Sequence, residues 1–252
     1  MSNFIPQHSV NIKPDYERDG IQLFCRDCLE ILPELSGIDL LLTDPPWGVS
    51  NNCDYTRFSG GQRKNATLPQ GRVHNAIEGD DKPFDPAPWL EFPNVVLWGS
   101  NHFSDKLPPG GLLIWDKKND GLEGKFMSDA EAAWRKGSVG CFLFRHVWDG
   151  FNRDSERGQH YHPSQKPVAL MEWCIERHSG IKVVCDPFMG AGATALACVR
   201  MGLQFVGCEK DTTHFATCVK RIEAALNTDR DSLWTAKQLA VESQHSFLFP
   251  EG

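Results

Sequence analysis

The residues best suited to chemistry stand in two short stretches far apart in the chain. The first is Asp44-Pro45-Pro46-Trp47, which follows the apolar run of residues 38–43, Ile-Asp-Leu-Leu-Leu-Thr. That run is too brief for a helix and nearly free of polar residues, so it reads as a buried strand. The prolines forbid its continuation, because each lacks an amide donor and fixes its own backbone angle. A carboxylate, rigid carbonyls and an aromatic face are thereby fixed at the carboxyl end of a strand, the edge where ligands bind in open α/β sheets. A plain strand-to-turn exit uses prolines in the same way, so the tetrapeptide alone leaves both readings open.

The second stretch spans residues 183–197, VVCDPFMGAGATALA. A buried strand ends at Asp186, and Gly190 and Gly192 occupy the turn before a helix opens. Glycines there let the backbone approach a ligand closely, although a tight turn alone would also use them. Glu209 ends the next strand about 20 residues on, where an acid can bind ribose hydroxyls. No GKS or GKT follows the glycines, which sets aside a phosphate loop, and the GxGxxG dinucleotide fingerprint is incomplete. Adenosine without a pyrophosphate fits the pattern better.

These residues need a scaffold, and the chain supplies one. Its 252 residues can bury a proper core, and a composition of 40% hydrophobic and 23% charged residues is that of an ordinary soluble domain. No apolar stretch approaches membrane-spanning length, and the N-terminus lacks a basic start followed by an apolar core. Nine cysteines, scattered through apparent core segments, point to reduced thiols and a cytoplasmic protein. Cys25 and Cys28 form a lone CxxC without a second pair at zinc spacing. His160 and His162 read as loop residues, and no bound metal is expected. A net charge of −7 argues against indiscriminate coating of nucleic acid, yet permits a local basic face.

Strands are expected at IQLFCRD, IDLLLT, NVVLWGS, GGLLIWDK, VGCFLFRHVW, IKVVCD and QFVGCE. Helices are expected at CLEILPEL, NHFSDKLP, MSDAEAAWRKG, KPVALMEWCIERHSG, ATALACVRMG and from Thr212 to about Ala225. Alternating strands and helices imply a largely parallel sheet with helices on both faces. Residues 51–81 read as a long polar loop carrying Arg57, Arg63, Lys64 and Arg72, and a polar tail follows residue 226.

With Asp44-Pro45-Pro46-Trp47 first and Phe188-x-Gly190-x-Gly192 far downstream, the chain resembles the S-adenosylmethionine-dependent amino-methyltransferases. The order is similar to the permuted β group of adenine-N6 and cytosine-N4 DNA methyltransferases. HPSQKP at residues 162–167 resembles the element before the cofactor strand, and RDCLEILPEL the one before the catalytic strand. The resemblance covers about residues 23–225. It implies a Rossmann-like α/β fold with a mainly parallel, seven-stranded sheet and circularly permuted motif order. Residues 1–226 would form one catalytic domain, with the loop inserted and residues 227–252 as a tail.

The resemblance also assigns roles. Asp186, Phe188, Gly190 and Gly192 would line the methionine and ribose part of S-adenosylmethionine, with Glu209 on the ribose hydroxyls. Asp27 and the Cys28 amide would meet the adenine edge, with Lys166 and Thr194 nearby. Asp27 would equally serve as a helix cap, and Lys166 as a solvated helix-start residue. Asp44 and the Pro45 carbonyl would accept the two amino hydrogens of the target base, Pro46 would hold the turn rigid, and Trp47 would stack on a flipped-out base. Aspartate at position 44 points to adenine, since the cytosine-N4 relatives usually carry serine there. Trp47 departs from the tyrosine more common in the DNA enzymes and occurs in messenger-RNA adenine methyltransferases. HPSQKP favours DNA, and RNA stays open. The gap between Trp148 and HPSQKP holds Arg153 and Arg157 but is too short for a recognition domain. Specificity would then come from the 51–81 loop or a second subunit, such as a homodimer partner, or be slight.

Overall fold

A computed structural model of the chain describes residues 12–50, 79–118, 121, 123–124, 128–148, 153–158, 161 and 164–227. Arg57, Arg63, Lys64, Arg72, His160 and His162, most of the 51–81 insertion and the tail beyond Asn227 lie outside the described residues. Nine strands are described: β1 (Tyr16–Arg18), β2 (Ile21–Phe24), β3 (Leu40–Thr43), β4 (Asn94–Trp98), β5 (Gly111–Asp116), β6 (Ala130–Arg135), β7 (Cys141–Arg145), β8 (Val183–Asp186) and β9 (Gln204–Cys208). The α-helices are α1 (Cys28–Ile31), α2 (Val168–Glu176), α3 (Ala193–Met201) and α4 (Thr212–Asn227).

The strands form one sheet in the order β1-β2-β9-β8-β3-β4-β6-β5-β7. From β2 to β4 every neighbour is parallel, and so is the pair β5–β7. β1 pairs antiparallel with β2, and β6 is antiparallel to both β4 and β5. The mixed α/β sheet is thus mainly parallel as expected, with nine described strands in place of seven. The additions are β1, a hairpin partner of β2, and β6.

Buried strands in the centre are apolar on both faces, as a sheet covered on both sides requires. Successive residues divide between two cores. Leu40, Leu42, Val96, Trp98, Val184 and Phe205 pack on the side of α2, α3 and α4. Leu41, Val95, Leu97, Cys185 and Val206 face the other side, which α1 shares with Phe84, Trp89 and Phe103 from loops and 3-10 turns. Helical cover on that second face is therefore slight. The segment NHFSDKLP, expected as a helix, forms only two 3-10 turns, Ser100–His102 and Ser104–Lys106. Phe103, at φ −140°, interrupts them while its ring sinks into the core.

A larger correction concerns MSDAEAAWRKG, whose alanines and glutamate favour a helix. Residues 130–135 are the strand β6. β6 fills the slot between β4 and β5 and forms ladders with both, six residue pairs long on the β5 side. Trp134 is buried there, donating its indole N–H to the Pro108 carbonyl at 2.9 Å. Helix propensity is a weak prior, and tertiary hydrogen bonding overrides it over so few residues.

The sheet order creates the site. From β8 the chain moves outward through α3 to β9, whereas from β3 it moves the opposite way to β4. The carboxyl ends of β3 and β8 therefore flank a topological switch point, where such sheets open a crevice. Among the described residues, no helix is long and apolar enough to cross a membrane.

Candidate functional site

β3 delivers Asp44 and β8 delivers Asp186 to this crevice, joining motifs that lie far apart in sequence. A single bridge registers them: Thr43 Oγ1 donates to Asp186 Oδ1 at 2.6 Å across 143 residues of chain. Thr194, in the first turn of α3, donates its hydroxyl to Asp186 Oδ2 at 2.6 Å, and the Phe188 amide donates to Oδ1 at 3.1 Å. Burial pushes the Asp186 carboxyl up to about 6, against the pull of these donors. Asp186 thereby ties β3, the glycine turn and α3 together.

The glycine turn is held from the other side by Glu209, just after β9. Its Oε2 accepts the Gly190 amide at 2.9 Å and its Oε1 the Asp211 amide at 2.8 Å, and burial raises its carboxyl. Gly192 sits at φ +82° as the residue before α3, and a Cβ there would lie 2.3 Å from Cys218 Sγ on α4. Left-handed backbone and close helix approach both demand glycine at this position. Phe188 is fixed edge-on by Phe84 and Trp89, at ring distances of 5.9 and 5.6 Å.

A cleft of about 440 Å³, counting its open mouth, runs between the two strand ends. Asp44, Lys166, Asp186, Phe188, Gly190 and Thr194 all line it. Asp27, Cys28, Gly192 and Glu209 are not part of its wall. Asp27 caps α1, accepting the Leu29 amide at 3.0 Å, and Cys28 is the buried first residue of that helix. Both stand near the end of β9, since Phe24 of β2 pairs with Cys208 and accepts the Glu209 amide at 3.1 Å.

Around Asp44 the side chains are closely ordered. Trp47 donates its indole N–H to Asp44 Oδ1 at 3.3 Å and stacks on His102, centroids 4.7 Å apart and planes 15° off parallel. Gly99, left-handed at φ +71°, makes room for it: a Cβ would lie 1.9 Å from the Trp47 indole nitrogen. Lys166 Nζ forms an ion pair with Asp44 Oδ2 and stands 3.1 Å from Glu131 Oε2. Glu131 Oε1 accepts from Lys117 Nζ at 2.6 Å. Burial raises the Asp44 carboxyl, with Lys166 pulling the other way. Burial would raise Glu131 too, but the two ammonium groups outweigh it and hold that carboxyl at about 2.

His102, Gly99, Glu131 and Lys117 escaped the sequence reading. Glu131 was hidden by the helical appearance of its segment, and nothing in the local pattern of NHFSDKLP marks the histidine as a stacking partner. Of the two arginines before HPSQKP, Arg153 is partly buried with its guanidinium 3.9 Å from the Trp148 ring centroid. Arg157 is exposed and donates its Nε to the Arg153 carbonyl at 2.9 Å.

The chain resembles several known proteins. Residues 114–220 match the N6_N4_Mtase family model, described as DNA methylase; the match takes in the glycine turn and begins after Asp44. The Type II methyltransferase M2.LlaDCHI of Lactococcus lactis subsp. cremoris is 22% identical, over 83% of this chain and 92% of its own length. The Type II methyltransferase M2.DpnII of Streptococcus pneumoniae is 23% identical, over 86% of this chain and 95% of its own. Among solved structures, the cytosine-N4-specific PvuII DNA methyltransferase shares the fold. Its TM-score is 0.59 at 16% identity, over 90% of this chain and 94% of that one. The chain is similar to DNA methyltransferases, and its sheet has the Rossmann-like fold of the PvuII enzyme. More narrowly, its second half resembles the N6/N4 amino-methyltransferases.

Proposed function

We propose that the protein methylates the exocyclic N6 of adenine in DNA, as a member of the permuted β group. The observation that carries this reading is the sharing of one cleft by the Asp44 carboxylate and the Phe188–Gly190 turn. The cleft suits the cofactor, since an aromatic face and a glycine turn line it. Asp186 would secure the turn, and Glu209 would keep lone pairs for ribose hydroxyls. Asp27 and Cys28, beside Glu209, would border the adenine end.

When bound, S-adenosylmethionine supplies an electrophilic methyl group on a sulfonium. The N6 nitrogen is a poor nucleophile, because its lone pair is delocalised into the ring. Asp44 and the Pro45 carbonyl accept its two hydrogens, and Trp47, seated on His102, stacks against the flipped base. Methyl transfer from the bound cofactor to this nitrogen would leave it with a surplus proton. The surplus proton leaves N6 toward Asp44, whose carboxyl burial has made more basic.

The test is incubation with labelled cofactor and, separately, DNA and RNA, followed by nucleoside analysis. Labelled N6-methyladenine in DNA is expected, and N4-methylcytosine alone would overturn the base assignment. Asp44→Ala should abolish transfer while calorimetric titration shows cofactor affinity nearly unchanged. Equal loss of both would mean that Asp44 belongs to the cofactor pocket.

A further inference from the structure

The proposed reaction makes no use of Lys166, Glu131 or Lys117, yet these three with Asp44 form a buried chain of alternating charge. Side-chain exposures are 19% for Asp44, 6% for Lys166, 15% for Glu131 and 9% for Lys117. Such a chain is costly to desolvate, and replacing paired charges by apolar groups is often neutral or better for stability. Its position also conflicts with the chemistry. Asp44 Oδ1 already accepts from Trp47, so the incoming amino hydrogen falls to Oδ2, where the Lys166 ammonium already sits.

We propose that Glu131 is a positioning residue that draws the Lys166 ammonium off Asp44 as the target base enters. Lysine then guards the carboxylate in the free enzyme and parks on Glu131 in the reacting one. This rests on the assignment of Asp44 to the base amino group.

The geometry is suited to such a transfer. Glu131 Oε2 already lies 3.1 Å from Lys166 Nζ, so a small rotation of the flexible lysine stem completes it. Asp44 exchanges an ammonium donor for an amino donor and is never left without a partner, while Trp47 keeps its bond to Oδ1. The ammonium stays close enough to offset the buried charge. Lys117 secures the receiving carboxylate from the far side, keeping Glu131 ionised whichever way Lys166 leans. Glu131 approaches on β6, an element separate from both motif strands, so it can hold Lys166 without disturbing Asp44 or the glycine turn.

The experiment compares wild type, Glu131→Gln, Glu131→Asp, Lys166→Met and the double variant Glu131→Gln/Lys166→Met. Each is assayed for kcat on the DNA methylated by wild type and for S-adenosylmethionine affinity by calorimetry, after melting curves confirm a folded chain. Glu131→Gln leaves Lys166 bound to Asp44, so kcat should fall roughly tenfold while cofactor affinity holds. Glu131→Asp should recover part of the loss. In the Lys166→Met background there is nothing left to park, so adding Glu131→Gln should have no further effect. An equal fall in both backgrounds, an unchanged kcat, or a parallel loss of cofactor affinity would overturn the proposal. Should Lys166→Met not fold, the Gln and Asp variants decide the matter by the same split between kcat and affinity. If wild type methylates no adenine, the failure is that of the parent reading, and this inference falls with it.

Discussion

Asp186 accepts two hydroxyls and an amide, yet burial still holds its carboxyl near 6, above the 3.8 of a free aspartate. The linkage has a definite sign. A raised acid contributes stability that is whole below its unfolded value and is lost as pH rises through the folded one. Wild type should therefore lose stability relative to Asp186→Asn as pH rises from about 4 to about 6, most steeply near 5. The loss is on the order of 2–3 kcal/mol. Melting both proteins without cofactor across that range checks it, and parallel curves would show that Asp186 carries no such penalty. Asp44, Trp47, Asp186 and Gly190 were legible in the sequence because prolines and glycines punctuate strand ends wherever they occur. Lys166 was legible only as a neighbour of the cofactor. That its ammonium turns to Asp44 depends on a strand that contributes Glu131 from elsewhere in the chain.

At the scale of elements, a second buried hub fastens the segment before α2 to the rest. Glu156 is itself left-handed, at φ +51°, a conformation that a non-glycine residue adopts at some cost. Its carboxylate accepts from Gln165 at 3.1 Å, from the Val168 amide at the start of α2 at 2.9 Å, and from Arg221 of α4 at 2.7 Å. Arg221 also donates to the Ala191 carbonyl, inside the glycine turn, at 2.5 Å. Glu156→Ala should cost about 3–5 kcal/mol, since it strands a buried guanidinium. Denaturant unfolding measures this, and Arg221→Met in the same chain should restore part of it. A loss below about 1 kcal/mol would mark the pair as solvent-screened. Most elements were readable from periodicity and punctuation, α2 and α3 above all. β6 was not, because a six-residue alanine-rich segment becomes a strand only when β4 and β5 present their edges.

Across the whole molecule, the parallel core places Asp44 and the glycine turn on one edge of the sheet, and that much followed from the alternation of strands and helices. The antiparallel β6 and the hairpin strand β1 did not, since neither interrupts the motif order that made the fold legible. One feature beside the site governs how this architecture can vary. Asp80 accepts the Gly48 and Val49 amides at 2.9 and 3.3 Å, and its carbonyl accepts the Ser50 amide at 2.8 Å. The chain therefore leaves and rejoins the domain at a single clasp, next to Trp47. Replacing residues 51–78 by a short glycine-serine link should leave cooperative unfolding intact and shift the melting temperature by only a few degrees, because closure entropy changes slowly with length, about 0.6 kcal/mol per doubling. Scanning calorimetry of the shortened chain tests this, and loss of cooperative melting would refute it. A gene encoding such a clasp can exchange one insert for another of different length and charge while Asp44 and the cofactor turn stay in register.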